Sequence, residues 1–126
     1  MDNFKSINDT FGHLAGDEAL KVFGTLLTTK FREEDIISRY GGDEFTVIAK
    51  GAKSEVSEIE NKCFKIENDY KKYLQETFKD QKEVVNNMGV SYGISIWEEG
   101  FDMNRMIAEA DLNMYNRKNI KKNGQK

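Results

Sequence analysis

The residues best suited to chemistry in this sequence lie in one run, Gly41-Gly42-Asp43-Glu44-Phe45. Two adjacent carboxylates at a turn project to different sides, and the glycines let a ligand approach the backbone. Such a pair can divide labour. One carboxylate can offer oxygen to a divalent cation, and the other can act as an acid or base or stabilise charge. An ordinary hairpin turn rich in Asp and Gly has the same composition, so the run alone leaves both readings open.

Two further stretches carry candidate groups. Phe4-Lys5-Ser6-Ile7-Asn8-Asp9-Thr10-Phe11-Gly12-His13 is followed by Gly16-Asp17 and reads as a loop entering a helix. Backbone N–H groups there can hold phosphate oxygens, Lys5 adds charge, and Asn8 and Asp17 can read a base edge. A polar loop with a helix cap is the plainer alternative. The only histidine, His13, supports neither a His-based zinc site nor a His-centred triad, and a structural hydrogen bond is its expected role. The third stretch is Arg32-Glu33-Glu34-Asp35. Arg can fork onto phosphate or guanine, and an acid can pair with guanine's N–H edge, although an R-x-x-D spacing by itself is common.

These groups need elements to hold them. Leu20, Phe23, Leu27 and Phe31 recur at helical spacing from a start near Gly16. Ile36–Tyr40 and Phe45–Ala49 read as two strands around the Gly-Gly turn, a β-hairpin. Ser54 is expected to cap a long helix whose stripe runs Val56, Ile59, Cys63, Ile66, Tyr70 and Tyr73. Cys63 in that stripe reads as a small core residue. Residues 75–83 are polar and read as a loop. Met88, Val90, Tyr92, Ile94 and Ile96 alternate with small residues, which predicts a strand with one buried face. Asp102 is placed to cap a last helix with Met103, Met106, Ile107, Ala110 and Met114 inside. This order predicts an α+β fold with helices covering a sheet.

Composition sets the outer bounds. The 126 residues suit one domain; 14 aromatics and mixed charge (19 basic, 22 acidic) exclude a disordered polyelectrolyte. No apolar run approaches the ~20 residues a membrane span needs. One cysteine excludes an internal disulfide, and no CxxC pair suggests a metal site. Proline is absent, without functional meaning. The last ten residues hold five basic groups and no acid. They suit either phosphate or the carboxyl end of a helix.

FKSINDTFGHLAGDEAL, SRYGGDEF, VSYGIS and EADLNMYNRK together resemble the GGDEF domain family, the diguanylate cyclases. The resemblance runs nearly the whole length. It implies a palm-like α/β sandwich, as in nucleotidyl cyclases and polymerases, with a central sheet flanked by helices. It implies condensation of two GTP into cyclic di-GMP with release of pyrophosphate. Mg²⁺, two per GTP, or Mn²⁺ would serve as cofactor. By the same resemblance Asp43 and the Met1 backbone carbonyl bind metal. Glu44 favours deprotonation of a ribose 3′-hydroxyl, with Lys5 near the phosphates. Asn3 and Phe4 supply backbone amides to phosphate beside Gly42, and Asn8 and Asp17 read guanine. Lys118 matches a phosphate-binding lysine, and Lys122 stands where many members carry arginine, keeping charge but losing the fork. Arg32 and Asp35 match an inhibitory product site.

A two-fold symmetric product made from single-GTP sites implies a homodimer. The resemblance also implies sensor or regulatory domains in a longer chain and a bacterial cytoplasmic setting, direct or through a tethered parent. No nucleic-acid partner or membrane segment is expected. The family's D-x-D-x-F-K pattern is entered at its second position, so residues 1–126 are expected to form one GGDEF domain lacking its N-terminal segment and most of its first strand. One metal-binding carboxylate is then missing, and the chain as given is expected to be weak or inactive. The alternative is a non-catalytic module that binds cyclic di-GMP or GTP. A polymerase-type or adenylate-forming palm is disfavoured by Asn8 and Asp17, which suit guanine.

Overall fold

The computed structural model describes residues 1–51 and 53–124, in two compact units, Met1–Val90 and Ser91 onward. The first unit holds α1 (Lys5–Phe11), α2 (His13–Lys30), β1 (Ile36–Gly41), β2 (Glu44–Ile48), α3 (Val56–Thr77) and α4 (Lys82–Asn86). A 3-10 turn, Lys53–Glu55, precedes α3. The second unit holds an extended segment and α5 (Met103–Gly124). Helices with a small antiparallel sheet make the fold α+β, as expected. Among the described residues the sheet is one hairpin, β1 against β2, smaller than the expected central sheet. No described helix is long and apolar enough to cross a membrane.

The core of the first unit follows the helical stripes. Ala19, Leu20, Phe23 and Leu27 of α2 meet Ile66, Tyr70 and Leu74 of α3 among the buried residues, with Ile7, Phe31, Phe78 and Val85. Ile7, Tyr70 and Leu74 are the largest fully buried side chains. Each apolar side chain buried this way contributes roughly 1.5–3 kcal/mol. Tyr70 also donates its hydroxyl to the Ala19 carbonyl at 3.1 Å, tying α3 to α2. Burial, and secondarily neighbouring Tyr73, pushes its phenol well above the ordinary range. The ring of Phe23 sits edge-on to both Tyr70 (5.1 Å) and Phe45 of β2 (5.0 Å). That aromatic chain fastens the hairpin to the helices.

Several expectations are corrected. The second helix starts at His13 rather than Gly16, because Gly12 (φ 92°) ends α1 and opens α2 within one residue. Helix α3 continues to Thr77 and α4 begins at Lys82, so only a short part of 75–83 is loop. Ser54 makes no cap; Glu55 occupies the N-cap position without a side-chain hydrogen bond. The expected 88–96 strand joins no ladder among the described residues beyond one bridge, Asp2 to Gly89. Its alternation still has a cause. Met88 and Val90 are buried in the first unit, while Gly93 in the second approaches α5 so closely that a Cβ would strike the Ala110 carbonyl. Ser95 and Asn113 complete that packing, donating to the Met106 and Ile94 carbonyls, each at 2.8 Å.

Asp102 caps α5 as expected, its carboxylate accepting the Arg105 N–H at 2.8 Å. Met106, Ile107, Ala110 and Met114 are half-buried, whereas Met103 is exposed.

Candidate functional site

The hairpin carries Asp43 on its two-residue connection and Glu44 at the first position of β2. Gly41 faces Glu44 across the ladder, with an irregularity between Arg39 and Gly41 that leaves Tyr40 unpaired. Gly42 adopts φ +40°, which favours glycine at that point of the turn. Arg39 donates Nε–H to the Gly42 carbonyl at 2.7 Å and braces the tip from inside the hairpin. The motif reading missed Arg39, although its place two residues before Gly41 made it available. Asp43 is half-buried and Glu44 exposed.

The tip meets the start of the chain. The Met1 α-ammonium donates to the Asp43 carbonyl at 3.0 Å and lies 3.9 Å from the Asp43 carboxylate. One residue on, the Asp2 N–H donates to the Gly89 carbonyl at 2.8 Å. Asn3 takes a left-handed backbone (φ 57°), and its side-chain amide donates to the Asn87 carbonyl. Asn tolerates that region better than most residues. Phe4 then turns into α1 with a buried ring, leaving Lys5 exposed on the first turn.

Asn8 of α1 packs against α2 at Gly16, the residue before Asp17. The Asn8 side-chain oxygen lies over Gly16, where a Cβ would collide with it and press on the Phe4 ring. Asp17 follows on the exposed side of α2. His13 is exposed at the first position of α2, not in the structural hydrogen bond expected of it.

The Arg32–Asp35 stretch lies at the other end of the hairpin and forms a turn, not a helix. Asp35 accepts the Arg32 N–H through Oδ2 at 2.8 Å and returns its own N–H to the Arg32 carbonyl at 3.0 Å. Oδ1 of Asp35 is buried with no hydrogen-bond partner among the described residues. The Arg32 guanidinium reaches Glu55, 4.0 Å away. Lys118 belongs to α5 in the second unit. Lys122 is on the same helix, with its side chain outside the described residues.

The family model of the diguanylate cyclase GGDEF domain matches residues 1–124. The chain belongs to the GGDEF family. A probable diguanylate cyclase of Escherichia coli, DgcC, is 51% identical over 55 residues, 44% of this chain and 15% of that protein. Diguanylate cyclase DgcP of Pseudomonas aeruginosa is 52% identical over 48 residues, 38% of this chain and 7% of that one. Diguanylate cyclase DgcZ of Escherichia coli is 46% identical over 55 residues, 44% of this chain and 19% of its own length. The match thus spans less than a fifth of each relative. An X-ray structure of an EAL/GGDEF domain protein from M. capsulatus superposes with a TM-score of 0.63 at 30% identity, covering 94% of this chain and 73% of that one.

The family implies a divalent metal. At the tip of this GGDEF domain the candidate donors are the Asp43 carboxylate and the Met1 carbonyl. No three His, Cys, Asp or Glu side chains converge as ligands among the described residues. Mg²⁺ takes near-octahedral oxygen ligation, most of it from water and substrate phosphates, so these two donors would hold it only together with those groups. Among the described residues the protein side chains alone do not make a complete metal site.

Proposed function

We propose that this GGDEF domain is built to condense two molecules of GTP into cyclic di-GMP, and that the 126-residue chain itself turns over slowly. The observation that most supports this is the junction of Met1 with Asp43. It sets the carboxylate tip beside the segment Asp2–Lys5, so acidic and phosphate-binding groups share one place. In this reading the amides of Asn3 and Phe4, beside Gly42, receive the phosphates and Lys5 adds charge. Asn8 and Asp17 accept and donate to guanine. Glu44 takes the proton of a ribose 3′-hydroxyl as that oxygen attacks an α-phosphate. Lys118 and Lys122 would neutralise the leaving pyrophosphate. Two domains facing each other, each holding one GTP, account for a symmetric product.

The test is GTP turnover by the purified chain, read as cyclic di-GMP formed. Glu44→Gln should cut the rate at least ~100-fold, the usual range for losing a general base, with the far-UV spectrum unchanged. Full activity in that variant would refute the role of Glu44. Equal use of ATP would refute guanine reading by Asn8 and Asp17. Abundant product from the unmodified chain would contradict the slow turnover expected of so few metal donors.

A second reading has its own support, the buried and unpartnered Asp35 Oδ1 beside Arg32. That pair offers a forked cation and an acceptor, the complement of a phosphodiester and a guanine N–H edge. Here the domain binds cyclic di-GMP as feedback inhibitor or as a regulatory ligand without turnover. Calorimetry with cyclic di-GMP and GTP decides it, because binding of neither nucleotide discards this reading.

A further inference from the structure

The cleft at the hairpin base holds three cations, Arg32, Lys50 and Lys62, and three carboxylates, Asp35, Glu55 and Glu58. It therefore carries no net charge near neutral pH, an unusual balance for a site meant to take a phosphodiester. It is also nearly shut: its cavity is ≈ 10 Å³, room for about one water. One of its carboxylates is aimed. The Glu55 side chain folds back across Gly51, where a Cβ would strike its Oε2, and that same oxygen is 4.0 Å from the Arg32 guanidinium. Glu58 lines the cleft one helical turn further on.

We infer that Glu55 is a built-in competitor for Arg32, which an incoming dinucleotide must displace. The inference rests on reading Arg32 and Asp35 as a dinucleotide site. Glu55 Oε2 lies 4.0 Å from Arg32 Nη2, so the carboxylate and a ligand phosphate compete for that nitrogen. Asp35 holds the turn that carries Arg32, apart from Glu55. Its Oδ2 is engaged by the Arg32 N–H, which fixes the turn that presents the guanidinium. Glu55 thus raises the concentration at which the site fills.

The size of the effect follows from exposure. Arg32 is 48% and Glu55 38% exposed, so their pair is a solvent-screened one. Removing the carboxylate should tighten binding about two- to fivefold, the span of measured exposed pairs. The experiment is calorimetric titration of cyclic di-GMP into the chain and into its Glu55→Gln, Glu58→Gln and Arg32→Ala variants. Thermal melts accompany each to confirm folding. Expected are tighter binding in E55Q by that factor, a smaller gain in E58Q, and loss in R32A. If R32A loses binding while E55Q binds no more tightly than the unmodified chain, Glu55 is not a competitor and the inference fails. An E58Q gain equal to that of E55Q means a diffuse field effect and also overturns it. If R32A binds as well as the unmodified chain, or neither the chain nor E55Q binds, the dinucleotide reading itself is wrong.

Discussion

The two ends of one hairpin are built on opposite plans. At the tip, β1 and β2 present two carboxylates, braced from within by Arg39 on the Gly42 carbonyl and met from outside by the Met1 ammonium. At the base, the turn before β1 presents a guanidinium, and Glu55, in the 3-10 turn before α3, lies 4.0 Å from it. The tip gathers two carboxylates, the groups proposed to act on a nucleotide. The base holds a half-exposed guanidinium that is proposed to recognise a ligand. An antiparallel pair of this length lets the two ends differ in charge while sharing one support, because Phe45 rests on Phe23 and Phe23 on Tyr70.

The comparison predicts that local changes at one end leave the other intact. The largest expected effect is at the tip: Glu44→Gln removes at least ~100-fold of turnover yet leaves cyclic di-GMP affinity within error of the unmodified chain. Coupled losses in both would break the division. At the base, Arg32→Ala should weaken cyclic di-GMP at least ~10-fold, the range of a charge-assisted fork, with binding of a non-hydrolysable GTP analogue unchanged by calorimetry. Gly16→Ala should displace Asn8 and crowd Phe4. We expect about 1–2 kcal/mol of lost stability from the overpacking and GTP-analogue affinity lowered several-fold, while the base binds as before.

The smallest effect concerns the shared support. Tyr70 is held neutral by burial, so its folded-state pKa lies above the unfolded value. Its contribution is complete below pH ~10, the ordinary tyrosine value, and is lost as pH rises beyond it. Melting temperature should therefore fall above pH ~10, and less steeply in Tyr70→Phe. That variant costs about 1 kcal/mol at neutral pH for the lost bond to Ala19. Both ends of the hairpin should loosen together as the support titrates, in contrast to the three local variants.

Much of this was legible before any coordinates. The stripe Leu20, Phe23 and Leu27 marked the face of α2, and the Gly-Gly turn between β-rich runs marked the hairpin, because local periodicity sets both. Asp102 declared its cap by position. The strand expected at 88–96 failed because a strand needs a neighbour, and alternation says nothing about whether one is present. Its glycine and serine are small to let α5 approach, a tertiary cause that reads like a pleat. At the site, motif spacing singled out Asp43, Glu44, Asn8 and Asp17. Arg39 on Gly42 is a local contact that the motif reading passed over, whereas Glu55 on Arg32 was not legible, since it joins residues through a fold-dependent contact.

The central claim, two nucleotide sites at opposite ends of one hairpin, is tested most directly by amide NMR titration of the 126-residue chain. A non-hydrolysable GTP analogue should shift Asn8, Asp17 and Gly41 to Glu44, leaving Arg32 to Asp35 in place. Cyclic di-GMP should shift Arg32 to Asp35 and Lys62, leaving the tip in place. One common set of shifted residues for both ligands, or none for either, would contradict the account.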